Sequence, residues 1–189
     1  MKIVGVHGIR VSDGGQKSLS SVLDCLEKKG YEVDLLDYGR VGLLTNRFRL
    51  KPAVESLQKL EPDVTIGHSH GNVVVYHACR DGMKLNTHIA YQPAMRRDTV
   101  WPNSIDKIVT LYNKRDWSVR FGRAWTWVNP VSWFHPHDWG SAGAHGFLGE
   151  DERMTQIDVG KYNKKGHSYM KNNPQFWCEF LSNHFGSDS

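Results

Sequence analysis

Apolar and polar positions along the chain follow two alternating rhythms. Residues 2–8 (KIVGVHG) are a short β-branched run that ends in glycine, which predicts a buried strand. Residues 16–30 then place Leu19, Val22, Leu23 and Leu26 at helical spacing, with Gly30 as the stop. A second strand is expected at 32–39, followed by a polar, basic loop around 40–49 and a helix at 51–62 carrying Val54, Leu57 and Leu60 on one face. Residues 63–69 (DVTIGHS) predict a third strand, and 70–82 a helix closed by Asp81 and Gly82. Strands at 87–94 and 106–113 follow, then an irregular, aromatic-rich stretch from about 114 to 150. A last strand is expected at 153–160 and a closing amphipathic helix at 168–185, built around Met170, Phe176, Trp177 and Phe180.

Strands alternating with helices predict an α/β fold. The expected form is a single-domain three-layer α/β/α sandwich over residues 1–189, with a mainly parallel sheet of about six strands. Residues 117–149 stand apart as an aromatic-rich insertion or lid-like segment. In such sheets ligands bind beyond the carboxyl ends of the strands, so each candidate catalytic residue should follow a strand.

Composition narrows the function classes. Hydrophobic content of 39% and charged content of 23% suit a soluble globular chain. A formal charge of +4, with no run of Lys and Arg longer than a doublet such as Lys28-Lys29, Arg96-Arg97 or Lys164-Lys165, argues against nucleic acid as a partner. No stretch approaches the roughly 20 apolar residues of a membrane span, and the first apolar run is too short for a signal peptide. Cys25, Cys79 and Cys178 are widely spaced, odd in number and without a CxxC. They argue against a disulfide framework or a zinc site and make a reducing, cytoplasmic compartment the expectation. His135, His137 and Asp138, with His145 nearby, have irregular spacing and no cysteine beside them, so no metal is expected. Six of the seven tryptophans fall between Trp101 and Trp139.

The chemistry centres on TIGHSHGN, residues 65–72. A G-x-S-x-G string alone is weak, but here it closes an apolar strand and opens a helix, the setting of a nucleophile elbow. Gly67 and Gly71 allow strand and helix to approach closely around Ser69, whose hydroxyl would project at a helix N-terminus. The plainer reading is a strand-to-helix loop in which Ser69 serves as an N-cap. A serine nucleophile needs a base, and His167 follows the last strand by a short loop. By the same rule His145 falls at the wrong end of that strand, His184 near the end of the closing helix, and His77 on a helix. His68 and His70 are too close in sequence to reach Ser69 easily. Asp116, just after the strand at 106–113, is the preferred carboxylate; Asp98 and Asp138 compete, and Asp158 reads as structural. The oxyanion donors would be the backbone N–H groups of His70 and Ile9, with Gly8 permitting close approach and His7 orienting the loop by a hydrogen bond.

With these residues in place the sequence resembles the α/β-hydrolase superfamily, especially its small lipase- and esterase-like members. The resemblance rests on VHG after the first strand, GHSHG at the elbow, N-x-x-D at 113–116 and GHS at 166–168, in the order Ser, Asp, His. It implies a serine esterase acting on a small-molecule ester or thioester through an acyl-enzyme, with no cofactor. The segment from Trp117 to Gly149 is longer than the resemblance requires. It is expected to wall the substrate site through Trp117, Trp125 and Trp127, or else to cover the sheet or bind a partner. The competing function is a catalytically inactive binding protein of the same fold, engaging its partner through Trp125, Trp127 or Trp133. Oligomeric state is not legible.

Overall fold

Successive buried side chains along the strands point to opposite sides and split the core between two faces of one sheet. The computed structural model describes residues 1–8, 19–38, 46–116, 140–162 and 170–185. Among these, six strands pair in the order β2-β1-β3-β4-β5-β6, every pair parallel. They are β1 (Lys2–Val6), β2 (Glu32–Leu36), β3 (Val64–His68), β4 (Leu85–Tyr91), β5 (Ile105–Tyr112) and β6 (Met154–Asp158). The helices are α1 (Ser21–Lys28), α2 (Asn46–Leu60), α3 (Gly71–Arg80), the short α4 (Ala142–His145) and α5 (Pro174–Ser182).

Ile3, Val64, Ile66, Ile89, Val109 and Leu111 point to one face and pack with Val22, Leu23 and Leu26 of α1 and Trp177 and Leu181 of α5. Their neighbours Val4, Val6, Ala90 and Ile108 point to the other face, under Ala53 and Leu57 of α2 and Val74 and Ala78 of α3. This is the period of two for a strand covered on both sides, and it yields the expected three layers.

Several boundaries differ from expectation for physical reasons. The helix expected at 51–62 begins at Asn46, with Pro52 inside it rather than in its first turn. Proline marks a helix start only by preference; here the chain tolerates the missing N–H. The closing helix begins at Pro174, six residues later than expected, because Asn173 Oδ1 caps it by accepting from the Phe176 N–H at 3.3 Å. The stretch at 114–150, expected to be irregular, contains α4.

The cysteine reading is corrected. Cys25 of α1 and Cys178 of α5 form a disulfide with Cα atoms 6.0 Å apart, and Cys79 alone is free. An odd count does not prevent two cysteines on facing helices from pairing, and with the pairing goes the cysteine argument for a reducing compartment. The bond closes a sequence separation of 153 residues. Its removal by Cys25→Ser or by reductant is expected to lower unfolding free energy by about 2–4 kcal/mol. Urea unfolding of the two forms checks this, and equal midpoints would refute it.

No helix among the described residues is long and apolar enough to cross a membrane.

Candidate active site

The strand order places a switch point between β1 and β3. From β1 the chain runs to β2 on one side of it, while β3 lies on the other. Such a junction opens a crevice at the carboxyl ends of the strands. His7 and Gly8 leave β1 there, and Ser69 leaves β3. Ser69 has φ +54°, the left-handed region that costs a non-glycine residue roughly 1–2 kcal/mol. Hydrogen bonds on both flanking peptides hold it. Its N–H donates to Tyr91 O at 3.0 Å, and its carbonyl accepts from Asn72 Nδ2 at 2.8 Å and from the Ala94 N–H at 3.2 Å. The N-cap position of α3 belongs to His70 and carries no side-chain cap bond, so Ser69 is not the cap.

The glycines around Ser69 answer to different neighbours. A Cβ on Gly71 would lie 2.1 Å from Val6 O and 2.7 Å from His7 O, so it is β1, not β3, that requires the bare Cα. A Cβ on Gly67 would lie 2.6 Å from Asn72 Oδ1 and 3.0 Å from His88 Cε1, in space already filled by those side chains. A Cβ on Gly8 would meet Ser69 Cβ at 3.0 Å and Ser69 Oγ at 3.5 Å. The chain leaving β1 therefore passes directly against the serine. His7 is buried, stacks on Tyr38 with ring centroids 4.2 Å apart, and its Nδ1 donates to Gly8 O at 2.7 Å. The Tyr38 hydroxyl donates to His7 O, and burial raises the Tyr38 pKa, keeping that proton in place.

Asp116 is fully buried after β5. Its N–H donates to Asn113 O at 2.9 Å, Asn113 Oδ1 accepts from the Arg115 N–H at 2.9 Å, and the Asn113 N–H donates to Gly143 O at 2.8 Å. Asparagine at the head of this turn supplies a side-chain acceptor for a backbone donor two residues on. Asp98, the competing carboxylate, is exposed and receives Arg96 Nε at 2.9 Å and Nη2 at 2.5 Å.

No protein-family model and no curated protein matches the sequence. Solved structures do match. A protein assigned to the alpha/beta hydrolase superfamily from Xanthomonas campestris pv. campestris superposes with TM-score 0.57 at 14% identity, covering 96% of this chain and 98% of its own. The esterase domain of a Rhodothermus marinus protein gives TM-score 0.57 at 13% identity, with 97% and 84% covered. The ydeN gene product of B. subtilis gives 0.55 at 13%, with 97% and 98% covered. The chain has the α/β-hydrolase fold.

On that α/β-hydrolase framework Ser69, His70, Gly8 and Asp116 stand at the carboxyl end of the sheet. Ile9, His167, Trp117, Trp125, Trp127, Trp133 and Asp138 lie outside the described residues. One elimination fails. The Gly143 N–H donates to Pro93 O at 2.8 Å and Gly143 O accepts from Asn113, so α4 lies across the ends of β4 and β5. His145 on α4 is thus at the same end as Ser69, although it precedes β6 in sequence. Trp101, grouped by sequence with the aromatic segment, is a core residue 1% exposed, packed against Tyr76, His88 and Phe147. Cys79 is buried in the same core, and burial pushes its thiol up to about 12, which leaves it unreactive.

A buried polar network behind the elbow was missed by sequence reasoning. His88 of β4 accepts at Nδ1 from the Thr65 hydroxyl at 2.8 Å and donates from Nε2 to Asn72 Oδ1 at 3.1 Å. Thr65, Gly67 and His88 share the sheet face beneath α3, as period-two reading of VTIGH and THIAY could have revealed. Burial lowers the His88 pKa to about 3. The Thr65 backbone opposes the desolvation only in part, and Asn72 and the Trp101 ring carry no charge that would offset it. The native state keeps His88 neutral while the unfolded chain binds a proton below about pH 6.5, so this residue makes stability fall as pH falls from about 6.5 to 3. His88→Gln is expected to remove a slope approaching about 1.4 kcal/mol per pH unit in that window. Urea midpoints against pH for both proteins test this; parallel curves would contradict it.

Proposed function

We propose that the protein is a serine hydrolase cleaving a carboxylic ester or thioester through an acyl-enzyme. The observation that carries the reading is the left-handed Ser69 at the β3–α3 junction, beneath the chain leaving β1. In this reading Ser69 Oγ attacks the substrate carbonyl as its proton passes to His167. The tetrahedral oxyanion is received by the N–H groups of Ile9 and His70 at the start of α3. His167 then protonates the departing alcohol or thiol, and the carbonyl reforms as the acyl-enzyme. Water, deprotonated by His167, attacks that ester, releases the acid and returns the proton to Ser69. Asp116 holds the His167 tautomer and stabilises its charged form. Fixing the Gly8 carbonyl through His7 orients the peptide unit that follows it, which supports the oxyanion role. Residues 117–149 would wall the acyl or alcohol site through Trp117, Trp125 and Trp127, within a single domain spanning 1–189.

The test is a fluorophosphonate probe on the purified protein, the adduct mapped by peptide mass spectrometry, alongside a chain-length panel of activated esters. Modification confined to Ser69, with turnover on the panel, is the expected result. An unlabelled Ser69 and no turnover would overturn the reading and leave a binding protein of the same fold.

A further inference from the structure

The Thr65, His88 and Asn72 side chains form a chain of hydrogen bonds that ends on the carbonyl of Ser69. Thr65 and His88 are register partners on β3 and β4. The three links measure 2.8 Å (Thr65–His88), 3.1 Å (His88–Asn72) and 2.8 Å (Asn72 Nδ2 to Ser69 O). Thr65 is 0% exposed, His88 0% and Asn72 0%. The direction of the chain is fixed from its far end. Asn72 Nδ2 must donate, because it faces two carbonyls, Ser69 O at 2.8 Å and Tyr91 O at 3.5 Å. Asn72 Oδ1 is then an acceptor, His88 Nε2 must carry the proton, and Nδ1 is left to accept from Thr65. One tautomer satisfies the set.

Asn72 also touches both acceptors that define the elbow. Tyr91 O receives the Ser69 N–H, which sets φ, and Ser69 O is the group whose direction sets ψ. Hydrogen bonds of this kind add little net stability, and an apolar filler of similar volume would serve a core equally well. What the network adds is direction. The bare Cα of Gly67 belongs to the same device, because any Cβ there would lie only 2.6 Å from Asn72 Oδ1.

We propose that His88 is a positioning residue, which with Thr65 and Asn72 locks the Ser69 backbone in its left-handed conformation and so aims the nucleophile. This rests on the reading of Ser69 as the nucleophile. His88 touches no substrate; it acts through Asn72 on the serine.

The experiment measures kcat per site titrated with a fluorophosphonate for wild type, His88→Leu, His88→Gln, Thr65→Val and the Thr65→Val/His88→Leu double variant. His88→Leu should lose about 10–100-fold in kcat with KM changed by less than about 3-fold, since a small misplacement of a reacting group has effects of that size. Glutamine can accept from Thr65 through Oε1 and donate to Asn72 through Nε2, so His88→Gln should return to within about 3-fold of wild type. Thr65→Val should lose about 3–10-fold, and the double variant should be no slower than His88→Leu alone, since both break one chain. A purely structural role would lower the melting temperature and leave kcat per titrated site unchanged. Overturning results are a His88→Leu kcat per site within about 2-fold of wild type, glutamine failing where leucine fails, or additive losses in the double variant. If His88→Leu yields no folded protein, Thr65→Val, isosteric and mild, decides with His88→Gln. Wild-type protein unlabelled at Ser69 would overturn the nucleophile reading itself, a result visible before any variant is made.

Discussion

Ser69→Gly is expected to abolish turnover while leaving the fold as stable as wild type or more so. Loss of a triad nucleophile lowers kcat by about 10⁴-fold or more, because what survives is only oxyanion stabilisation and binding. Stability should move the other way. At φ +54° the serine bears a left-handed cost of about 1–2 kcal/mol that glycine does not. Glycine gives back about 0.5–1 kcal/mol through the freer unfolded chain, so the net gain is between zero and about 1.5 kcal/mol. Ser69→Ala, with a Cβ in the same strained conformation, should lose activity equally and gain nothing. Initial rates on an activated ester and urea midpoints measure both quantities. A glycine variant retaining more than about 1% of kcat would sink the nucleophile assignment. One that unfolds more than about 1 kcal/mol earlier would sink the strain argument. The trade-off is the usual sign of a site that holds strain for its chemistry.

The parts of this site legible in the sequence were those whose cause is local. Gly67, Ser69 and Gly71 sit within five residues, and the change from period two to helical spacing around them marks a strand–helix junction. Gly8 could be placed against Ser69 because a parallel sheet brings carboxyl ends of strands together. What was misread depended on distant partners. The need for Gly71 comes from Val6, 65 positions earlier in the chain, so a reading of strand β3 against helix α3 named the right residue for an incomplete reason. His145 was eliminated by its place in sequence, yet backbone bonds to Pro93 and Asn113 carry its segment back over the carboxyl end of the sheet. Cys25 and Cys178 looked unrelated until α1 and α5 met on one face. His88 reads as an ordinary strand histidine until Thr65 and Asn72 are seen on either side of its ring. The Asn173–Pro174 helix start was different, since its cap-and-proline signal was present in the sequence and was passed over.

Gly71→Ala should be the most damaging single-methyl change in the elbow, and Gly67→Ala a milder one with a different signature. The new Cβ at position 71 would stand 2.1 Å from Val6 O and 2.7 Å from both Val6 C and His7 O. Those atoms are backbone and cannot rotate aside. β1 is held by parallel pairing to β2 on one side and β3 on the other, and α3 is held by Val73, Val74, Val75 and Ala78 in the core. Relief requires the helix to lift or the central strand to shift, at a cost of about 3 kcal/mol or more, a large share of a typical 5–15 kcal/mol stability. At position 67 the new Cβ meets side chains instead, Asn72 Oδ1 at 2.6 Å and His88 Cε1 at 3.0 Å. These can turn away, at about 1–3 kcal/mol, but only by leaving the Ser69 carbonyl, so activity per folded molecule should fall with the network. Urea unfolding and rate per titrated site separate the two. Gly71→Ala within about 1 kcal/mol of wild type would show that β1 and α3 can part without cost, and the close approach would lose its claim to shape the elbow. Gly67→Ala with full activity per site would mean that Ser69 keeps its conformation without Asn72, which removes the link between this glycine and the nucleophile.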